Sequence, residues 1–584
     1  MCKFVIMLLI LHAGLLSWSA YIHSPLVDEP AHLASGLSHW QLFSFDLYRA
    51  NPPLVRSIAS LPLLFTSYEM DWNSYSKDPY RRAEFQAGDD FLKKNGSHFH
   101  FLLFISRQFC IPLSMLGGLI CYFWSRDLFG EVSGFISLLL WCFSPLLLAF
   151  GYTIMPDVAC ASLGITVCYF FWKWLKAPTW KRALLAGSFL GIAELTKFTL
   201  IVFYPIFVIL WGTNIILQLK ASLQVSILSQ LKQLVIIFVI SLYIINMIYG
   251  YTGSMTQLKK YEFVSRSLCG NTKWNHETGF TATGNRFRES ILGEIPVLLP
   301  VNYLMGIDVQ KKDFELGQPS YFFGKWSNEG WYQYYIVGLL IKEPLGFWFL
   351  LVCSLIVAGI SKNNRSSIVN EMVLLIPIVV ILVLVSSQTK LNHHLRYVIP
   401  ILPFLFIFIS RIGNVYHGKN RIFKVAITIF FMWCIVSSLR FYPHSQAHFN
   451  ELIGARRNAP KYLLGSNIDW GQNMLYLSKW LSEHPDARPF HNYYESLYQK
   501  EQANIKDDYV YFGMQPSKEP ESGWFALGVN EIYSSSKQYE YFKRFEPVDT
   551  IGYSIYIYHI TPEEANRVRL EMGLSEIDDE VVYE

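Results

Sequence analysis

Apolar stretches approaching the roughly 20 residues that cross a hydrocarbon core recur along most of this 584-residue chain. They run over Phe4–Tyr21, Phe101–Trp124, Val132–Phe150, Val158–Leu175, Ala183–Leu195, Phe198–Leu217, Leu234–Tyr249, Leu345–Ile360, Met372–Ser386, Val398–Ser410 and Val425–Leu439. In lipid every backbone N–H and C=O must be satisfied within the protein, which leaves helices or closed barrels. Stretches of this length select helices. The expected fold is an α-helical polytopic membrane protein of about 11 spans. The first stretch could be a cleaved signal peptide, but no small-residue cleavage site precedes Asp28, so an uncleaved anchor is expected.

Composition agrees. Charged residues are 16% of the chain, against about 25% in soluble proteins. A net charge of +4 with no basic run, zinc-finger spacing or RNA-binding signature excludes nucleic acid as the expected partner. The nine cysteines form no CxxC pair and no disulfide framework, and mostly sit in apolar runs as packing residues.

Lys and Arg in short loops set orientation. With the N-terminus in the cytoplasm, the cytoplasmic side gathers Lys3, Arg126, Lys173, Lys176, Lys181, Arg182, Lys220, Lys232, Lys362, Arg365, Arg411, Lys419, Arg421 and Lys424. The short outer connections hold only Lys197, Lys390 and Arg396. Reading 183–217 as a single pass would need a helix of roughly 52 Å and would reverse this bias, so two passes are expected. Residues 1–440 then form a transmembrane domain with long outer loops at about 23–100 and 252–330. Residues 441–584 form an extracytoplasmic α/β domain, with strands around Tyr509–Met514, Trp524–Val529 and Tyr553–Ile560 and a helix at Leu475–Leu481.

The polar residues of the outer face are the candidates for chemistry. Asp28-Glu29-Pro30 follows the first span directly. Asp28 reads as a helix N-cap, as a catalytic carboxylate, or as both. Arg49 and Arg56 flank a Pro-Pro pair; their planar forks suit phosphate, although on these residues alone snorkelling beside lipid headgroups is the better reading. Asp157, in Met155-Pro156-Asp157, is an acid at a membrane boundary, either a cap or a functional group. Glu194-Leu195-Thr196-Lys197 and Lys390 to Arg396 hold the outer cations that defy the charge bias, and a phosphate bound at the outer surface would account for them. His393-His394 invites a metal, but adjacent histidines point apart on most backbones, so no metal site is expected. A divalent cation stays open as a cofactor. No nucleotide-binding loop, serine-hydrolase elbow or HExxH is present.

Nucleotide sugars are cytosolic, so an outer-face enzyme needs a donor that arrives by another route. A sugar on a flipped polyprenyl phosphate meets that need, and its isoprenoid tail needs apolar helices beside the site. One carboxylate would take the acceptor proton, and the cations would stabilise the departing phosphate. The transfer would be a single displacement with inversion at the anomeric carbon.

The motifs carry a resemblance that extends over nearly the whole chain. Asp28-Glu29, the segment from Gly36 to Asn51-Pro52-Pro53-Leu54, Met155-Pro156-Asp157, Leu195-Thr196-Lys197 and Arg396-Tyr397-Val398-Ile399-Pro400 resemble, in order and sidedness, the protein O-mannosyltransferases of glycosyltransferase family 39 and their bacterial aminoarabinose-transferring relatives. In the tail, Ser466-Asn467-Ile468-Asp469-Trp470-Gly471-Gln472 and Gly552-Tyr553-Ser554-Ile555-Tyr556 resemble the bacterial branch. The resemblance implies a GT-C fold, with Asp28 as base, Glu29 and Asp157 supporting it, and Arg49, Arg56, Lys197 and Arg396 on the carrier phosphate. Asn51 departs from the pattern, because the aminoarabinose branch tends to carry Lys before Pro-Pro. The MIR-type repeats of the eukaryotic mannosyltransferases are missing, which weakens the case for a Ser/Thr protein acceptor. The acceptor is left as protein, lipid or glycan. A lipid-linked polysaccharide polymerase or ligase is the nearest alternative, and a lipid flippase or transporter is the more distant one.

Overall fold

The computed structural model describes residues 2–73, 75–76, 82–270, 284–360, 368–416, 421–513 and 517–577. Lys362, Arg365, Lys419 and Met514, weighed above, lie outside the described residues.

All eleven apolar stretches are helical. They include α1 (Cys2–Ile22), α5 (Phe99–Phe129), α6 (Glu131–Phe143), α7 (Pro145–Phe150), α8 (Pro156–Lys176), α9 (Trp180–Glu194), α10 (Phe203–Lys220) and α11 (Ile227–Ile248). Between α1 and α5, the loop expected on the outer face folds as α2 (Glu29–Gln41), α3 (Leu54–Ser60) and α4 (Ala83–Asn95). Further on come α12 (Arg266–Cys269), α13 (Val301–Leu316), α14 (Tyr334–Lys342), α15 (Leu345–Ile360), α16 (Ile368–Ser387), α17 (Leu402–Ser410), α18 (Gly413–Tyr416) and α19 (Arg421–Leu439).

The chain is thus a multi-pass helical membrane protein, where about eleven spans were expected. Among the described residues seven helices are long and apolar enough to span, or up to eight if α14 and α15, bent by 108°, make one span. Part of the difference is α9, unbroken but only 15 residues long, and part lies in stretches broken by backbone chemistry. Pro145 ends α6 and starts α7, splitting 132–150. Residues 395–401 are a 3-10 turn before the nine-residue α17. Short helices of this kind persist because other helices cover them: Trp141 of α6 is fully buried against Gly117 of α5, where an added Cβ would come within 2.2 Å of the indole. In α9, Gly187 and Gly191 make a small-xxx-small stripe, and a Cβ at either would press on Ile237 or Ile244 of α11.

The tail carries the expected α/β domain. A small hairpin, β1 (Ser320–Phe322) with β2 (Lys325–Ser327), precedes it in the chain. The domain's sheet has order β4-β3-β5-β7-β6, formed by β3 (Phe490–Asn492), β4 (Val510–Phe512), β5 (Gly523–Gly528), β6 (Asp549–Ile551) and β7 (Ile555–Ile560). β3 runs parallel to both β4 and β5, and β7 is antiparallel to β5 and β6. Helices α20 (Met474–Glu483), α21 (Val529–Ile532) and α22 (Pro562–Glu571) complete it, the last opened by a Thr561–Glu564 capping box. Leu33, Leu37, Phe91 and Phe99, in and beside the loop between α1 and α5, share one apolar cluster with Met474, Leu477 and Phe490 of the tail. That shared core presses the tail against the segment that carries Asp28.

Candidate active site

Asp28 occupies the N-cap position of α2, yet its side chain makes no capping hydrogen bond. Its carboxylate instead faces Arg396, with Oδ2 3.5 Å from Nη2. Asp157 sits in the first turn of α8, behind Pro156. There Lys197 Nζ donates to Asp157 Oδ1 at 2.5 Å, while Asp157 Oδ2 lies 3.7 Å from Arg396 Nε. Lys197 stands just past the end of α9, in extended backbone. Arg396 belongs to the 3-10 turn before α17. Four residues distant in sequence thus alternate in charge across one buried patch, as Asp28, Arg396, Asp157 and Lys197.

Arg396 is the least satisfied member. Its side chain is 5% exposed, and both ion-pair contacts are long. Buried Nε and Nη1 have no hydrogen-bond partner. Trp470, from the tail, covers the guanidinium at 4.0 Å from ring centre to Cζ. A buried guanidinium with spare donors is costly unless an anion completes it. Burial raises the pKa of the Asp28 carboxyl above the ordinary aspartate value, against the pull of Arg396 and Arg82. The His394 imidazole is held well below its ordinary pKa by burial and by the charge of Arg396; its Nδ1 lies 2.5 Å from Ser466 Oγ.

These groups line a cavity of about 480 Å³ with Asp28, Asp157, Lys197 and Arg396 on its walls, together with Tyr48, Arg82, His394 and Trp470. A second, mostly apolar groove of about 280 Å³ runs from it between Phe198, Ile307, Phe314 and Leu384. The two spaces share Lys197, Gln310 and Tyr397.

The other expected site residues stand elsewhere. Glu29 is fully buried and is consumed by Arg107, whose Nε and Nη2 donate to it at 3.0 and 2.5 Å. The backbone N–H groups of Leu26 and Ile154 donate to it as well. Arg107 also donates to the carbonyls of Ala20, His23 and Ser24. This knot fixes the loop that positions Asp28 but does not open onto the cavity. Arg49 is held by Asp46 at 2.5 Å and by Asn302 at 2.7 Å. Arg56 is buried, donates to the Asn51 carbonyl and packs on His39. Neither lines the cavity. Glu194 is buried, accepting from Tyr303. Among the described residues no group of three or more His, Cys, Asp or Glu stands together as a metal would need, and Asp28 and Asp157 already face cations.

Arg82, Arg107 and Trp470 escaped sequence reasoning. Arg107 carried a signal, an arginine in the middle of an apolar stretch. Trp470 lay in a motif that was noticed but not placed. The structure joins that motif to the site: Asn467 Oδ1 accepts from the Leu395 N–H, and Val27 N–H donates to the Trp470 carbonyl. Leu54, which ends the Pro-Pro-Leu segment, donates from its backbone to the Leu195 carbonyl, beside Lys197.

Comparison with known proteins adds the following. Residues 99–249 match the family model described as dolichyl-phosphate-mannose-protein mannosyltransferase. Among curated proteins none matches this sequence. Solved structures with similarity include ArnT from Cupriavidus metallidurans in the apo state (9% identity, TM-score 0.41) and bound to undecaprenyl phosphate (9%, TM-score 0.43), each over 95% of this chain and 97% of that one. A third is the Archaeoglobus fulgidus oligosaccharyltransferase in the apo form, at 11% identity and TM-score 0.40 over 88% of this chain and 62% of that one.

Proposed function

We propose, from a chain whose residues 99–249 match the family model described as dolichyl-phosphate-mannose-protein mannosyltransferase, that the protein moves a sugar from a polyprenyl-phosphate donor to an acceptor hydroxyl at the extracytoplasmic face. The observation that carries this reading is Arg396, buried with unsatisfied donors between two carboxylates in a cavity that shares Lys197 and Tyr397 with an apolar groove. In this reading residues 1–440 form the transferase core, 441–584 form an outer domain, and the N-terminus is cytoplasmic.

The donor phosphate lies on Arg396 and Lys197, with its isoprenoid chain in the groove past Phe198. Asp28 acts as general base. The acceptor hydroxyl oxygen attacks the anomeric carbon, and its proton passes to the Asp28 carboxylate. The bond from anomeric carbon to phosphate oxygen breaks with its electron pair left on the polyprenyl phosphate, and the cations stabilise that charge. Asp157 holds Lys197 and Arg396 in place rather than taking the proton.

The test is release of polyprenyl phosphate from a polyprenyl-phosphate sugar by the purified protein in lipid. Release by the wild type and its loss in Asp28→Asn are expected. Movement of the intact lipid between leaflets without cleavage would replace the enzyme with a flippase. Cysteines introduced at positions 28 and 396 must also react with an impermeant reagent from the same side of the membrane.

A further inference from the structure

A further cleft of about 480 Å³, of mixed polar and apolar lining, lies at the C-terminal ends of β3 and β4 in the tail domain, with Val27 on its wall. We infer that this cleft binds a neutral carbohydrate and presents it to Asp28 as the acceptor. The inference rests on the transferase reading above and names its acceptor class.

Position is the first argument. β4 and β5 flank β3 on opposite sides, both parallel to it. The carboxyl ends of β3 and β4, adjacent and parallel, therefore open on the same edge of the sheet. The cleft follows Asn492 and Phe512, the last residues of two of these strands.

Its lining is the second argument. Tyr493 and Tyr539 stack with centroids 6.3 Å apart and planes 27° from parallel, and Phe512 stands on the same wall. Around them are Asn492, Glu495 and Gln499. Aromatic faces cover the C–H side of a pyranose, while amides and a carboxylate match its neighbouring hydroxyls. Among the described residues no Lys or Arg lines the cleft. A phosphorylated lipid headgroup would call for such cations, so a neutral saccharide fits better.

The third argument is contact with the donor cavity. Val27 lines both spaces, and Asp28 is the next residue, with consecutive Cα atoms about 3.8 Å apart. The shared wall is a continuous stretch of backbone. Val27 N–H donates to the Trp470 carbonyl, and Ser496 Oγ donates to the Gly471 carbonyl. Gly471, at φ +91°, turns the chain between Pro25 and Ser496, a conformation that side chains rarely adopt. Asp28 therefore lines the cavity suited to an anion, one residue from the Val27 wall that this cavity shares with the cleft.

The experiment is saccharide binding by the full-length protein in nanodiscs, read by saturation-transfer NMR. The probes are neutral disaccharides of glucose, galactose, mannose and N-acetylglucosamine, beside a Ser/Thr-containing peptide and a phospholipid headgroup. At least one disaccharide is expected to bind the wild type, with tenfold or greater weakening in Tyr539→Ala and in the surface variant Glu495→Gln. Binding of the peptide or headgroup alone, or saccharide binding unchanged in both variants, would overturn the inference. No donor is present in this assay. Failure of the wild type to cleave a polyprenyl-phosphate sugar therefore counts against the transferase reading alone.

Discussion

Lys197 Nζ donates to Asp157 Oδ1 across 2.5 Å, in a pair whose side chains are 7% and 2% exposed. Removing one partner of a buried pair leaves a bare charge, at a cost of about 3–5 kcal/mol. Lys197→Met and Asp157→Leu are each expected to lower unfolding stability in detergent by an amount in that range. The double variant should recover part of the stability, because Lys197 and Asp157 are removed together while Arg396 keeps only Asp28. It should not recover transfer, since the phosphate loses Lys197. Restored turnover in the double variant would make the pair purely structural.

Asp28 gives opposite pH dependences for activity and stability. Its pKa is raised in the folded protein, chiefly by burial. Transfer needs the carboxylate, so kcat/KM should rise with pH through that raised value. The unfolded chain ionises at the ordinary value near 3.8. Between the two values the folded state holds the proton that the unfolded state has lost, so the contribution of this group to stability falls as pH rises through that window. Asp28→Asn should abolish transfer while leaving the melting temperature at neutral pH equal to or above that of the wild type. A fall of several degrees would show that Arg396 depends on Asp28 for folding.

Glu29 was expected beside Asp28 in the chemistry and is found in a fully buried pair with Arg107. Glu29→Gln keeps the shape but leaves Arg107 unneutralised, and a loss of about 3–5 kcal/mol is expected. The measurable signature is reduced expression and a lower unfolding midpoint, with kcat per folded molecule changed less than tenfold. A stable Glu29→Gln protein with no turnover would return Glu29 to the catalytic group.

The residues legible in the sequence are those that broke a rule. Lys197 and Arg396 stood out because they opposed the charge bias of the short loops, and both line the cavity. Lys390 opposed it too, and it only pairs with Glu329 at the surface. Arg49 and Arg56 were picked for chemistry rather than for a broken rule, and their local partners Asp46 and Asn51 absorb them. Helix identity was legible throughout because apolar length is local. Span number was not, because whether 132–150 crosses as one rod depends on Pro145 and on the helices that bury Trp141. β3 and β6, three residues each, carry too little pattern to register alone and exist through pairing with β5 and β7.

Trp470 brings the tail domain into the wall of the cavity proposed to hold the donor. Its ring lies 4.0 Å from the Arg396 guanidinium carbon, and it leaves its own helix-free segment to reach there. A desolvated cation–π contact contributes about 2 kcal/mol, so Trp470→Ala is expected to raise the donor KM by roughly 30-fold. Trp470→Phe keeps an aromatic face and should recover much of that loss. Arg396→Lys should not, because an ammonium offers no planar fork to share between phosphate and carboxylates. The split between KM and kcat separates site from scaffold: a covering role raises the donor KM with kcat nearly kept. Loss of kcat alone in Trp470→Ala would mean that the tail acts on the reacting centre rather than on the phosphate.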